Sequence, residues 1–157
     1  HLGASPPLLA FVIRPLTVPR HTYHNIKAKR FFTINHIHEE ILEAAHQTSA
    51  NYDEQTSEFE AVGLTPQYTA AHPAPYVQES RIKIGLEYVE EHDIRANDTI
   101  LMVGKIAEIL LPEEALTVNG HLRPERWGSL GVVGLDTYYK GEQVAQLGYA
   151  RPGEEKE

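Results

Sequence analysis

SRIKIGLEYVEE, residues 80–91, and DTILMVGKIAEILL, residues 98–111, are the stretches on which the fold turns. In the first, Ile82, Ile84, Leu86 and Tyr88 alternate with polar neighbours, the period of two that marks a half-buried strand. The second contains the longest apolar run of the chain, yet Gly104, Lys105 and Glu108 interrupt it. It falls well short of the roughly 20 apolar residues of a membrane span. It reads instead as a long sheet strand, with Gly104 as a bulge or bend.

Working outward, the same pattern recurs in shorter pieces. PPLLAFVIRP holds an apolar run bounded by prolines and predicts a buried strand over residues 8–13. FFTINHI alternates as a second strand, Asn119-Gly120 signals a tight turn, and VVGLDTYY adds a further strand or two. The helical segments are brief. RHTYHNIKAKR, with Thr22 as N-cap, suits two or three turns. HEEILEAAHQTSA places Ile37, Ile41 and Ala45 on one face, with Glu39 and Glu40 at the positive end and His46 near the negative end. TSEFEAVGL carries Ser57-x-x-Glu60, a capping-box pattern, and Gly63 as a stop. Residues 65–80 read as an extended surface loop pinned by Tyr68 and Tyr76, and residues 153–157 as a solvated acidic tail. Strands dominate and no strand–helix–strand rhythm exists. The expected fold class is therefore mainly β, a small barrel decorated by short helices rather than a doubly wound sheet.

At 157 residues the chain is long enough for one domain with one core. Fourteen Lys+Arg against 22 Asp+Glu give a net charge of -8. With no extended basic stripe, nucleic acid is not the expected partner, and neither is a membrane. The absence of Cys excludes a disulfide framework, a thiolate metal site and a cysteine nucleophile, and suits a reducing cytoplasm. The chain starts at His1 without a charged segment followed by an apolar one, so no signal peptide is expected.

Against this acidic background one cluster is positive. Arg14, Arg20 and His21 fall within eight residues, with no carboxylate among them, immediately before the first helix. A helix N-terminus presents unpaired N–H groups and the positive end of the dipole. Arg14 at a strand's end, Arg20 before the helix and the Thr22 hydroxyl could meet at one anion; surface pairing with the acidic excess is the plain alternative. Nine histidines raise the question of a metal, but HIHEEIL has Leu42 where the H-E-x-x-H pattern requires His. No metal is expected. There is no G-x-S-x-G elbow, no G-x-G-x-x-G and no P-loop; GSLG around Ser129 is a poor substitute for the first. The tyrosines and Trp127 read as core and edge packing, with Tyr138 and Tyr139 facing opposite ways.

Taken in order, ASPPLLAFVIRP, RHTYHNIKAKRFFTINHI, SRIKIGLEYVEE and NDTILMVGKIAEILL resemble successive landmarks of the flavin reductase-like, FMN-binding split-barrel family, over about residues 1–139. The resemblance implies an antiparallel split β-barrel that forms a homodimer, with FMN in a groove at the subunit interface. It implies a single domain over residues 1–157 whose first barrel strands, normally found before the Pro-Pro turn, are missing from this chain. The phosphate would sit where the strand after Pro-Pro meets the T-x-x-N-I helix. On that match Arg14, Arg20, Thr22 and Asn25 become phosphate-side residues with His21 beside them. Asn35 and the backbone at His1, Gly3, Ala4 and Ser5 would fall near the flavin.

The activity so implied is hydride transfer from NADH or NADPH to FMN, with electrons passed to a partner monooxygenase or another acceptor such as ferric iron or O2. The cofactor would carry that chemistry, which explains why no acid–base pair is conspicuous and why no catalytic side chain can be named. Asn97-Asp98-Thr99 stands where many members have Gly-Asp-His, which favours the alternative of an FMN-binding electron-transfer protein without nicotinamide turnover. A metal-dependent hydrolase is the third class.

Overall fold

The computed structural model describes residues 1–152; the acidic stretch 153–157 lies outside the described residues. The two deciding stretches form strands β6 (Lys83–Ile94) and β7 (Thr99–Leu110), paired antiparallel from Ile94↔Thr99 to Lys83↔Leu110. On the far side of β7 lies β2 (Pro7–Ile13), in register Ile13↔Ile100 and Leu8↔Lys105, with β1 (Gly3–Ala4) beyond it. On the far side of β6 lies β3 (Phe31–Asn35), in register Phe32↔Leu86. The order β1-β2-β7-β6-β3 is antiparallel throughout.

The alternation holds from Leu86 to Tyr88, whereas Lys83, expected among the polar neighbours, is buried and donates to Gln67 Oε1 at 2.6 Å. Leu86 and Tyr88 from β6 and Ile100 and Met102 from β7 bury with Ile13 and Phe32 in one core. The core is capped by Ile26, 2% exposed, from helix α1 (His21–Lys29). The bend expected at Gly104 falls elsewhere. Register slips leave Val89 and Ala107 unpaired, while Gly104 stays in the ladder opposite Tyr88. Its lack of a side chain serves packing: a Cβ there would come within 2.6 Å of Phe32 Cζ.

Helix α1 starts two residues earlier than a Thr22 cap would allow. Arg20 holds the extended N-cap backbone, and its side chain makes no capping bond. The helix closes at Arg30, in the left-handed region at φ 67°, whose N–H returns to the Ile26 carbonyl. HEEILEAAHQ divides into a 3-10 turn, Glu39–Ile41, and helix α2 (Leu42–Gln47), so Ile37 precedes the helix instead of lying on its face. Helix α3 (Glu58–Val62) has Ser57 at its N-cap position and Gly63 at its left-handed end, but the reciprocal capping bonds are not made.

Within the loop after α3, β4 (Pro66–Gln67) pairs with β5 (Tyr76–Val77). Tyr76 is fully buried and its hydroxyl donates to Glu108 Oε2 at 2.7 Å; Tyr68 is 65% exposed. One of the two tyrosines expected to pack does so. The Asn119-Gly120 turn forms, with Gly120 at φ 75°. Strands β8 (Leu130–Val133) and β9 (Thr137–Lys140) make a terminal hairpin. Tyr138 reaches back to His46 Nδ1 at 3.0 Å while Tyr139 faces outward, 55% exposed.

Candidate functional site

Strand β2 ends at Ile13, buried in the core, and Arg14 follows it directly. Residues 15–19, with prolines at both ends, then reverse the chain so that Arg20 stands at the start of α1. Six residues apart in sequence, Arg14 and Arg20 therefore face one groove of about 820 Å³, with His21 and Thr22 on the same wall. The rest of the lining comes from the end of β2, from Val18 and Pro19, from the 48–54 segment after α2 and from Glu58.

The groove is chemically unspent on its basic side. The six ion pairs among the described residues involve neither Arg14 nor Arg20, and Arg20 Nε is buried without a hydrogen-bond partner. A buried guanidinium nitrogen without an acceptor costs free energy unless something arrives to accept from it. No acidic residue occupies the first turn of α1 to neutralise the helix N-terminus. Guanidinium, hydroxyl and helix-end N–H donors together suit a phosphate group.

The other expected site residues are placed differently. Asn25 is exposed on α1 and does not line the groove. Asn35 spends its side chain on the fold: Nδ2 donates to Thr33 Oγ1 at 3.0 Å, and Oδ1 accepts from the Val77 N–H at 3.0 Å. It ties β3 to β5. His1, Gly3, Ala4 and Ser5 lie at the opposite end of β2, where Gly3 pairs with Leu8 and Ala4 with Pro7, and none lines the groove.

Sequence reasoning missed the groove's acidic lining. Asp53, Glu54 and Glu58 border it as well as the arginines. The signal was present in the acid-rich run NYDEQTSEFE, but only the path of the chain after α2 brings that run to the same groove. A second cavity, of about 480 Å³, lies between the 123–129 turn and the β8–β9 hairpin. Its cations are largely paired internally: Arg81 with Glu40 at 2.9 Å, Arg123 with Glu125 at 2.7 Å and Lys140 with Glu39 at 2.8 Å.

The histidines are engaged singly. His36 Nδ1 meets Ser129 Oγ at 2.9 Å, and burial pushes its imidazole below the usual value. His72 is buried between the Ala74 and Leu86 carbonyls, and His38 Nε2 meets the Glu79 carbonyl at 3.0 Å. Among the described residues no group of three or more His, Asp or Glu could hold a metal ion. No described helix is long and apolar enough to cross a membrane.

Fold and groove together define a mainly β antiparallel protein with a groove at its first helix that Arg14, Arg20, His21 and Thr22 line. The chain belongs to the flavin reductase like domain family, whose sequence profile matches residues 1–126. It is 43% identical to a protein of Shewanella frigidimarina NCIMB 400 assigned to the flavin reductases with a split barrel domain. That match covers 96% of this chain and 74% of the other, at a TM-score of 0.90. The fold is also that of nitrilotriacetate monooxygenase component B from Bacillus cereus, at 22% identity, TM-score 0.79 and coverage of 93% and 74%. Flavoredoxin of Desulfovibrio vulgaris (Miyazaki F) shares it too, at 24% identity, TM-score 0.76 and coverage of 92% and 75%.

Proposed function

We propose that this chain is a single flavin reductase-like domain that binds FMN, works as a homodimer in the cytoplasm, and seats the FMN phosphate against Arg14, Arg20 and Thr22. The observation that carries the reading is the Arg20 Nε, buried on a groove wall without an acceptor. A phosphate monoester carries about −1.5 to −2 charges at neutral pH. Two guanidiniums and the start of α1 offset that charge, and Thr22 Oγ1 adds a hydroxyl donor. His21 borders the same place.

When bound, FMN supplies the redox chemistry, taking hydride from NADH or NADPH and giving electrons to a partner monooxygenase or another acceptor. The protein's part is to anchor and orient. Arg14 and Arg20 would fix the phosphate end of the ligand, with the Thr22 hydroxyl beside them. Anchoring of this kind turns a bimolecular encounter into a positioned one. The test is to mix the purified protein with FMN and follow NADH and NADPH oxidation. Protein-dependent oxidation supports the reading.

A second reading is an electron carrier that holds FMN without turning over nicotinamide. Thr99 favours it: it stands where a histidine was expected, and its hydroxyl is committed to Asn97 Oδ1 at 2.8 Å. A protein that binds FMN yet leaves both nicotinamides unoxidised is that carrier.

A further inference from the structure

The second cavity, of about 480 Å³, is lined by a histidine that the fold leaves half used. His38 is 3% exposed, and its Nε2 lies 3.0 Å from the Glu79 carbonyl. A carbonyl only accepts, so in the neutral ring Nε2 carries the proton and Nδ1 presents a bare lone pair. Nδ1 is buried without a hydrogen-bond partner. Glu40 Oε2, on the same lining, stands 3.8 Å away, beyond hydrogen-bond range, and is itself an acceptor. Two acceptors side by side call for an N–H or O–H donor. The Glu40 side chain is 74% exposed and pairs with Arg81 at 2.9 Å, so it is free to turn and admit one. A Cβ on Gly128 would lie 3.6 Å from His38 Cβ and 3.5 Å from Arg81 Nη1, so these three lining residues adjoin one another.

Four cations and four carboxylates line the cavity, which is therefore neutral when His38 is neutral. Three of each are joined in the ion pairs given above. Arg126 and Glu142 remain, both exposed, and among the described residues neither makes an ion pair or a side-chain hydrogen bond. Arg126 acts only through space, adding to the hold of Arg123 on the Glu125 carboxyl, which lies below its usual range.

We propose that this cavity binds a small zwitterion, a primary amine that also carries a carboxylate, as a free amino acid does. The ammonium donates to His38 Nδ1 with the Glu40 carboxylate beside it, and the ligand's carboxylate accepts from Arg126. A ligand without net charge matches a lining without net charge. A simple anion would answer Arg126 but leave Nδ1 without a donor, and a simple amine would leave Arg126 unmatched. The lining is almost wholly charged or polar, so the ligand's remaining atoms are polar too. This cavity shares no lining residue with the groove at α1, and the inference does not rest on the FMN reading.

The test is an NMR titration of the purified chain with L-glutamine, beside γ-aminobutyramide, which lacks its carboxylate, and glutaramate, which lacks its amine. The expected result is saturable shifts of the backbone amides at residues 38–40 and 126–129 and of the His38 Nδ1 resonance. Each one-sided analogue should bind about tenfold more weakly, the loss of one charge-assisted contact. Arg126→Gln, at an exposed position with no side-chain hydrogen bond to lose, should weaken glutamine about tenfold and leave γ-aminobutyramide unchanged. No saturable shift at millimolar glutamine, an unmoved His38 Nδ1, either analogue binding as tightly as glutamine, or full affinity in Arg126→Gln overturns the inference. None of these outcomes touches the FMN reading.

Discussion

Replacing Arg20 by Ala removes the one buried guanidinium nitrogen of the groove that lacks an acceptor. In the free protein Arg20 makes no ion pair and no side-chain hydrogen bond among the described residues, so the truncation breaks nothing there. Removing that unpaired buried nitrogen should leave unfolding stability unchanged or slightly raised. In the complex the loss is that of a charge-assisted hydrogen bond, about 1.5–3 kcal/mol, or roughly tenfold to 150-fold in Kd. Because the groove is open to water, the lower half of that range is expected. Arg20→Lys keeps the charge but loses the planar fork, and should fall between Ala and the parent. The assay is quenching of flavin fluorescence on titrating protein into FMN, with riboflavin as the comparison. Arg20→Ala should leave riboflavin binding almost unchanged. Variant and parent binding FMN within about twofold of each other would refute the phosphate assignment.

Three further outcomes concern the scaffold. Gly85→Ala places a methyl group onto the Tyr76 hydroxyl and the His72 ring, and should cost about 1–3 kcal/mol in denaturant unfolding; an unchanged midpoint would refute the close packing. Asn35→Ala strands the Val77 N–H and should cost about 1–3 kcal/mol by the same measurement, with little change in FMN affinity if Asn35 serves the β3–β5 link. For His36, burial lowers the folded-state value below the unfolded one, so its contribution to stability is full above about pH 6.5 and is lost as pH falls through the folded value. Thermal melts should show the parent losing stability on acidification from neutral pH, and His36→Asn lacking that limb.

Much of the fold could be read directly because alternation and burial agree. Ile82, Leu86 and Tyr88 lie on the buried face that their spacing implies, and the short helices occur where expected. What failed was local. Thr22 is a good N-cap residue by type, yet the chain turns after Pro19, so Arg20 takes the extended backbone and the helix begins at His21. Gly104 looked like a bulge because glycine in a strand often is one, whereas here it makes room for Phe32, a neighbour across the core that no local pattern reveals. The same division holds at the groove. Arg14, Arg20, His21 and Thr22 are close in sequence and meet in space, so their clustering could be inferred. Asp53, Glu54 and Glu58 reach that groove only through the path of the chain after α2, and sequence proximity carries no trace of it. Asn35 carried the family resemblance, and its side chain bonds Thr33 of its own strand and the Val77 N–H of β5.

The central claim is that the flavin phosphate docks at the start of α1, and a crystal structure of the protein grown with FMN tests it most directly. The account predicts phosphate oxygens within hydrogen-bond distance of both Arg14 and Arg20, with Arg20 Nε among the donors. FMN bound elsewhere, or a groove closed by Glu54 or Glu58 folding onto Arg20 while flavin is present, would contradict it.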